Sequence, residues 1–162
     1  MKRRTWILWA LFVVLLAGGA GYAASQTSLS ALEPPGGLET AVATAAKKWL
    51  VGRATRQPLP PAPANDTQSV ANGYMQFGAN CAFCHGQDGR TPTKVGTSLY
   101  PRAVRLDAGG VQAYSDAELF VIIRDGIRLS GMPGFGRIHS EQEIWNLVHY
   151  LRSLRAPRRQ GE

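Results

Sequence analysis

The chain has 162 residues, 44% of them hydrophobic and 18% charged, a length that fits one domain with appendages. The formal net charge of +7 is unevenly placed: Lys2, Arg3 and Arg4 hold three charges at the extreme N-terminus, and residues 67–162 carry eleven bases against eight acids. Four of those bases, Arg152, Arg155, Arg158 and Arg159, make a terminal basic tail, and with no finger spacing or RNA motif this distribution argues against a nucleic-acid surface.

The N-terminal stretch MKRRTWILWALFVVLLAGGAGYAAS has no charged residue between Arg4 and Glu33. From Trp6 to Ala24 it offers nineteen uncharged, mostly apolar residues, which as a helix rise roughly 28 Å, close to the hydrocarbon thickness of a bilayer. Residues 1–25 therefore read as a single-pass anchor whose basic leader stays cytoplasmic, with a cleaved signal peptide as the alternative. Either way the rest of the chain lies outside the cytoplasm, most simply at a bacterial inner membrane with its folded part in the periplasm.

Residues 26–66 form a connector. SQTSLSALEPPGG is polar and rich in Pro and Gly, as linkers are. Residues 38–56 then place Leu38, Val42, Ala45 and Trp49 at helical spacing with Lys47, Lys48, Arg53 and Arg56 largely elsewhere. This is a basic amphipathic helix suited either to an anionic membrane surface or to packing on the domain or a partner subunit. QPLPPAPAND, residues 57–66, is expected to be a semi-extended spacer that holds the domain off the bilayer.

Residues 67–162 show helix punctuation and almost no alternating strand pattern. Val70, Tyr74 and Phe77 share a helical face just before the first cysteine. Ser115 with Glu118 and Ser140 with Glu143 have the spacing of capping boxes, and Gly126 reads as a helix stop. Ile144, Leu147, Val148, Leu151 and Leu154 form the strongest amphipathic stripe in the chain. The fold class is all-α, with a core thin enough that a bulky buried cofactor would help to stabilise it.

The only two cysteines, Cys81 and Cys84, lie in NCAFCHGQDG. They are too close to staple a fold, so they make a local site. His85 completes Cys-x-x-Cys-His, the sequence that covalent c-type haem attachment requires: two thiols add to the vinyl groups and the adjacent imidazole meets the iron. A zinc site lacks two further ligands, and a thioredoxin-like pair lacks its βαβ setting. Met132, 47 residues beyond His85, sits in the loop LSGMPGF, where a thioether can swing over the iron as the sixth ligand. His139 and His149 are the bis-histidine alternatives, and Met75 reads as a core gap-filler.

On GYMQFGANCAFCHGQDG, LYPRAVRL, DAELFVIIRDGIRLSGMPGF and EIWNLVHYLRSL, the chain resembles the class I c-type cytochromes, in particular the haem domains of C-type haem-copper oxidase subunits. The resemblance covers residues 67–155 and implies a small cytochrome c fold of three to five helices around one haem c. By this resemblance Cys81 and Cys84 are the thioether anchors, His85 the proximal ligand and Met132 the distal one. Gly73 and Phe77 correspond to the contact where the first helix crosses the last near Trp145 and Tyr150. The carbonyl of Pro101 would accept the Nδ1 proton of His85, and Arg102, with Arg105 as a second choice, would pair with haem propionates.

A six-coordinate iron has no open position, so the expected function is single-electron transfer, not enzymatic turnover. The implied partners are a quinol-oxidising complex or dehydrogenase on one side and a terminal oxidase or reaction centre on the other. A fixed subunit of a larger respiratory or photosynthetic complex is the alternative to a shuttle. A five-coordinate haem enzyme or sensor is the third reading.

Overall fold

The computed structural model describes residues 2–155 except 27 and 29; Arg158 and Arg159 of the basic tail lie outside the described residues. It divides into two units, Met1–Glu33 and Pro34–Glu162. The first contains a helix, α1 (Lys2–Ser25), whose apolar side chains are exposed along its length and which is long and apolar enough to be a candidate membrane span.

The second unit contains α2 (Gly37–Ala54), α3 (Thr67–Asn80), α4 (Ala82–His85), α5 (Lys94–Thr97), α6 (Gly109–Gln112), α7 (Asp116–Asp125) and α8 (Glu141–Ser153), with no strand among the described residues. The all-α expectation holds. Its three principal helices are the predicted ones, joined by loops that hold the short elements α4 to α6.

Both capping boxes form. The Ser115 hydroxyl accepts from the Glu118 amide at 3.2 Å while the Glu118 carboxylate accepts from the Ser115 amide at 2.7 Å. Ser140 and Glu143 repeat this at 3.3 and 2.7 Å. Each cap satisfies amides that would otherwise be orphaned, worth about 1 kcal/mol. The α7 stop falls at Gly126, which takes φ +72° and returns its amide to the Ile122 carbonyl.

The amphipathic stripes meet as their spacing demands. All five residues of the α8 stripe are buried, and Phe77, Phe120, Ile144, Leu147 and Val148 are the largest fully buried side chains. Helix α3 crosses α8 at Gly73, where even a methyl group would fall 2.0 Å from the Asn146 carbonyl oxygen. Phe77 packs on Tyr150 at 5.0 Å between ring centroids, as expected. The Trp145 ring does not join this crossing; it faces α7, 4.6 Å from Phe120. Met75 is 72% exposed and is not a core residue. The buried positions of α3 are Ser69, Gly73 and Phe77, spaced by four, and position 75 lies off that line.

Residues 57–66 depart from expectation. The segment is irregular, but it is packed and not a free spacer: Leu59 lies against the core and the Trp145 indole donates to the Pro60 carbonyl at 3.2 Å. A buried indole N–H needs an acceptor, and an irregular proline-rich segment offers carbonyls with few competing amides. Helix α2 is docked too, with Val51 buried and Lys47 5.9 Å above the Tyr114 ring. Near its start, Glu39 accepts a hydrogen bond from the Tyr100 hydroxyl.

The Gly73 contact has no slack, because its neighbour is backbone. Gly73→Ala should destabilise the protein by about 1–3 kcal/mol by overpacking, read as a lower denaturant midpoint, whereas Gly78→Ala, on the open side of the same helix, should not.

Candidate cofactor-binding site

The Cys-x-x-Cys-His turn is a continuation of α3. The Cys81 amide donates to Phe77 at 2.8 Å, and the Cys84 and His85 amides both donate to the Cys81 carbonyl, at 3.1 and 3.0 Å. These bonds wind residues 81–85 into a single tight turn, which brings the two sulfurs and the imidazole to one place. The turn is fastened from outside by Thr93, whose amide donates to Cys84 at 3.1 Å and whose hydroxyl donates to Phe83 at 2.7 Å.

Both cysteines are free thiols and half-buried. Burial, reinforced by Cys84, pushes the Cys81 thiol up to about 12. A disulfide oxidoreductase needs the opposite, a thiolate stabilised near neutral pH.

The His85 ring is held by its Nδ1, 2.9 Å from the carbonyl oxygen of Val104. A carbonyl can only accept, so Nδ1 carries the proton and Nε2 is left with the lone pair. The acceptor corrects the expectation for Pro101. The Ala103 amide bonds to the Gly96 carbonyl and the Leu106 amide to the Gly89 carbonyl, both at 2.8 Å. These two clamps present the carbonyl between them, that of Val104, to the ring; Pro101 is exposed, three residues earlier.

Met132 is half-buried in a loop closed by its own backbone: its carbonyl accepts from Ile127 at 3.2 Å and its amide donates to the Ser130 hydroxyl at 3.2 Å. The Phe135 and Gly136 amides tie the far side of the loop to Ile123 and Arg124 of α7. A methyl group added at Gly131 would fall 2.8 Å from Leu99. The methionine loop thus abuts the same segment, residues 96–106, that supplies the acceptor for His85. Sequence reasoning missed Val104 and Leu99, because the first acts through its carbonyl and the second through shape.

The remaining candidates separate clearly. Arg102 is exposed and makes no side-chain hydrogen bond or ion pair among the described residues, so it is available to an anion. Arg105 is engaged with Asp107 through two hydrogen bonds, at 3.1 and 2.9 Å. His139 packs beside Phe135, with Nδ1 3.8 Å from Glu143 and Nε2 buried without a partner. His149 is 4% exposed and committed elsewhere: its Nδ1 lies 2.7 Å from the Ser69 hydroxyl, which donates to Asn146 Oδ1 at 2.7 Å. Since the hydroxyl spends its only proton on Asn146, His149 Nδ1 is the donor.

The donor set fits haem c: two thiols on one turn, an imidazole whose Nε2 has no partner among the described residues, and a thioether loop beside the segment that orients it. Exposed Phe83, Val95, Val104 and Leu129 in these same segments supply apolar surface for a macrocycle. An all-α domain built around such a turn is a class I c-type cytochrome, an electron carrier and not an enzyme. The chain belongs to the family described as "Cytochrome C oxidase, cbb3-type, subunit III", whose model matches residues 68–151. No curated protein matches the chain. Among solved structures it is similar to a chain of the Kuenenia stuttgartiensis reducing HAO-like protein complex Kustc0457/Kustc0458, at 19% identity and a TM-score of 0.56. The match covers 62% of this chain and 50% of that one, so this chain spans about half of its length, and at such identity the likeness concerns the fold.

Burial holds the His149 imidazole below its ordinary value of 6.5, against the opposing pull of Asp116 and Asp66. The unfolded chain therefore binds a proton that the folded chain resists, and stability is lost as pH falls below about 6.5 and regained above it. Denaturant midpoints measured across that range should slope with pH in the wild type, and His149→Gln should flatten the slope.

Proposed function

We propose that this protein is a membrane-anchored periplasmic mono-haem cytochrome that passes single electrons between protein partners. Cys81 and Cys84 are its thioether anchors, and His85 and Met132 its axial ligands. The observation that carries the reading is the His85–Val104 hydrogen bond, which fixes the tautomer so that Nε2 keeps its lone pair, on the turn bearing both thiols. Haem c, when bound, supplies reversible one-electron chemistry at its iron.

The chain's own residues do the rest. Val104 holds the imidazole by a neutral hydrogen bond, weaker in electron donation than a carboxylate partner, which together with a thioether favours the reduced state and a raised potential. The backbone bonds that close the Met132 loop limit its movement, so that oxidation and reduction proceed with little rearrangement. Arg102 is the candidate partner for a propionate. The length, apolar composition and basic leader of α1 support anchoring and export.

A fixed-subunit reading has one observation in its favour. With residues 57–66 packed on the domain, the chain not docked on either helix shrinks to the eleven residues 26–36, a short leash for a shuttle. Extraction in mild detergent separates the two: haem-stained protein migrating alone supports the carrier, and haem held in a larger complex supports the subunit.

The ligand assignment is tested by two variants. His85→Ala should abolish haem staining on a denaturing gel. Met132→Ala should keep the haem but lose the weak near-infrared sulfur–iron band of the ferric protein, and full retention of that band would remove Met132 from the site.

A further inference from the structure

Helix α2 has two apolar sides, and the structure uses only one of them. Lys47, Val51 and Ala54 face the domain, where Val51 is 8% exposed and Ala54 packs on the core. About half a turn away, at positions 38, 42, 45 and 49, runs a second stripe of Leu38, Val42, Ala45 and Trp49. It is open: Leu38 is 81%, Val42 60% and Trp49 61% exposed. The more apolar side of the helix is thus the one turned away from the protein. This inverts the arrangement expected of a surface helix, whose outward face is polar.

Three further observations say what meets this stripe. Lys48, Arg53 and Arg56 flank it, against the single acid Glu39, whose carboxylate is occupied by Tyr100. Arg53 stacks on the outward Trp49 at 5.7 Å, pairing an indole with a cation as at a lipid headgroup boundary. Finally, α2 begins eleven residues after the apolar helix α1 ends. At no more than about 3.6 Å per residue that connection extends roughly 40 Å, so a helix anchored by α1 cannot leave the neighbourhood of the bilayer.

We propose that the outward face of α2 lies in the headgroup layer of an anionic membrane, with Leu38, Val42 and Trp49 inserted and Lys48, Arg53 and Arg56 over the lipid phosphates. This rests on the anchoring role of α1. Because the other face of α2 is docked on α7 and, through Glu39 and Tyr100, on the segment that holds His85, the membrane would set the orientation of the cytochrome domain. Lipid contact then becomes part of how the redox site is presented to partners.

The test uses the full-length haem-loaded chain in nanodiscs, with single cysteines at Val42→Cys, Trp49→Cys and Thr44→Cys. The native thiols are consumed as thioethers, so a water-soluble maleimide reads only the new one. In nanodiscs containing phosphatidylglycerol, positions 42 and 49 should react about tenfold more slowly than position 44, which is exposed but off the stripe. The protection should fade in pure phosphatidylcholine, and when Lys48, Arg53 and Arg56 are all changed to Glu. Equal rates at all three positions in anionic nanodiscs would overturn the proposal. So would protection that appears only in native membranes, since that would assign the stripe to a protein partner. Failure of the anchor is a separate result: the haem protein would not remain with the nanodiscs at all.

Discussion

The structure depends on how closely α3 and α8 approach at Gly73. Helix backbones can come within contact distance only where one of them carries no side chain, and here the neighbour is the Asn146 carbonyl itself. With the axes fixed there, the same face brings Phe77 onto Tyr150 one turn later and Ser69 onto Asn146 and His149 one turn earlier. Burying a Phe of this kind contributes about 1.5–3 kcal/mol. The larger consequence is positional. The α3 terminus leads into the Cys-x-x-Cys-His turn, and the Phe77 carbonyl that receives the Cys81 amide belongs to the residue packed on Tyr150 one turn beyond the crossing. What locks the helices together also locks the site.

From that turn outward the site is built almost entirely of backbone. Val104, Gly96, Gly89, Ile127 and Ile123 contribute main-chain groups, and side chains enter chiefly at Thr93, Ser130 and the proposed ligands. Main-chain donors and acceptors have fixed positions once the chain path is set, so a ring held by a carbonyl cannot reorient by a rotamer change. This suits a carrier, whose two oxidation states should differ little in geometry.

Legibility in the sequence follows the range of each interaction. The caps at Ser115 and Ser140, the α8 stripe and the Cys-x-x-Cys-His turn act over three or four residues, and each stands in the structure where its spacing puts it. The acceptor for His85 was misplaced at Pro101 because a carbonyl leaves no trace in residue identity; only the clamps at Ala103 and Leu106 decide which one faces the ring. The crossing lies beside Trp145 and on Tyr150, as the resemblance implied, but the direction of the Trp145 ring was open, because a large aromatic on α8 can serve either neighbour, and α7 offered Phe120. The docking of α2 stood in the sequence only as one of two readings and the packing of residues 57–66 not at all, because their partners, Tyr100, Tyr114 and Trp145, lie between about 60 and 85 residues away along the chain.

The bond from Trp145 to Pro60 also matters for how force travels. Tension applied through the N-terminal end of this unit reaches α2 and then the Pro60–Trp145 contact before it reaches α3. Those attachments would yield in series, and each would dissipate load on the side of α8 that faces α7. Along the chain, the Gly73 crossing lies downstream of both. A pull on the N-terminal end of this unit is therefore met first by the attachments of α2 and Pro60, before it reaches the helix crossing at Gly73.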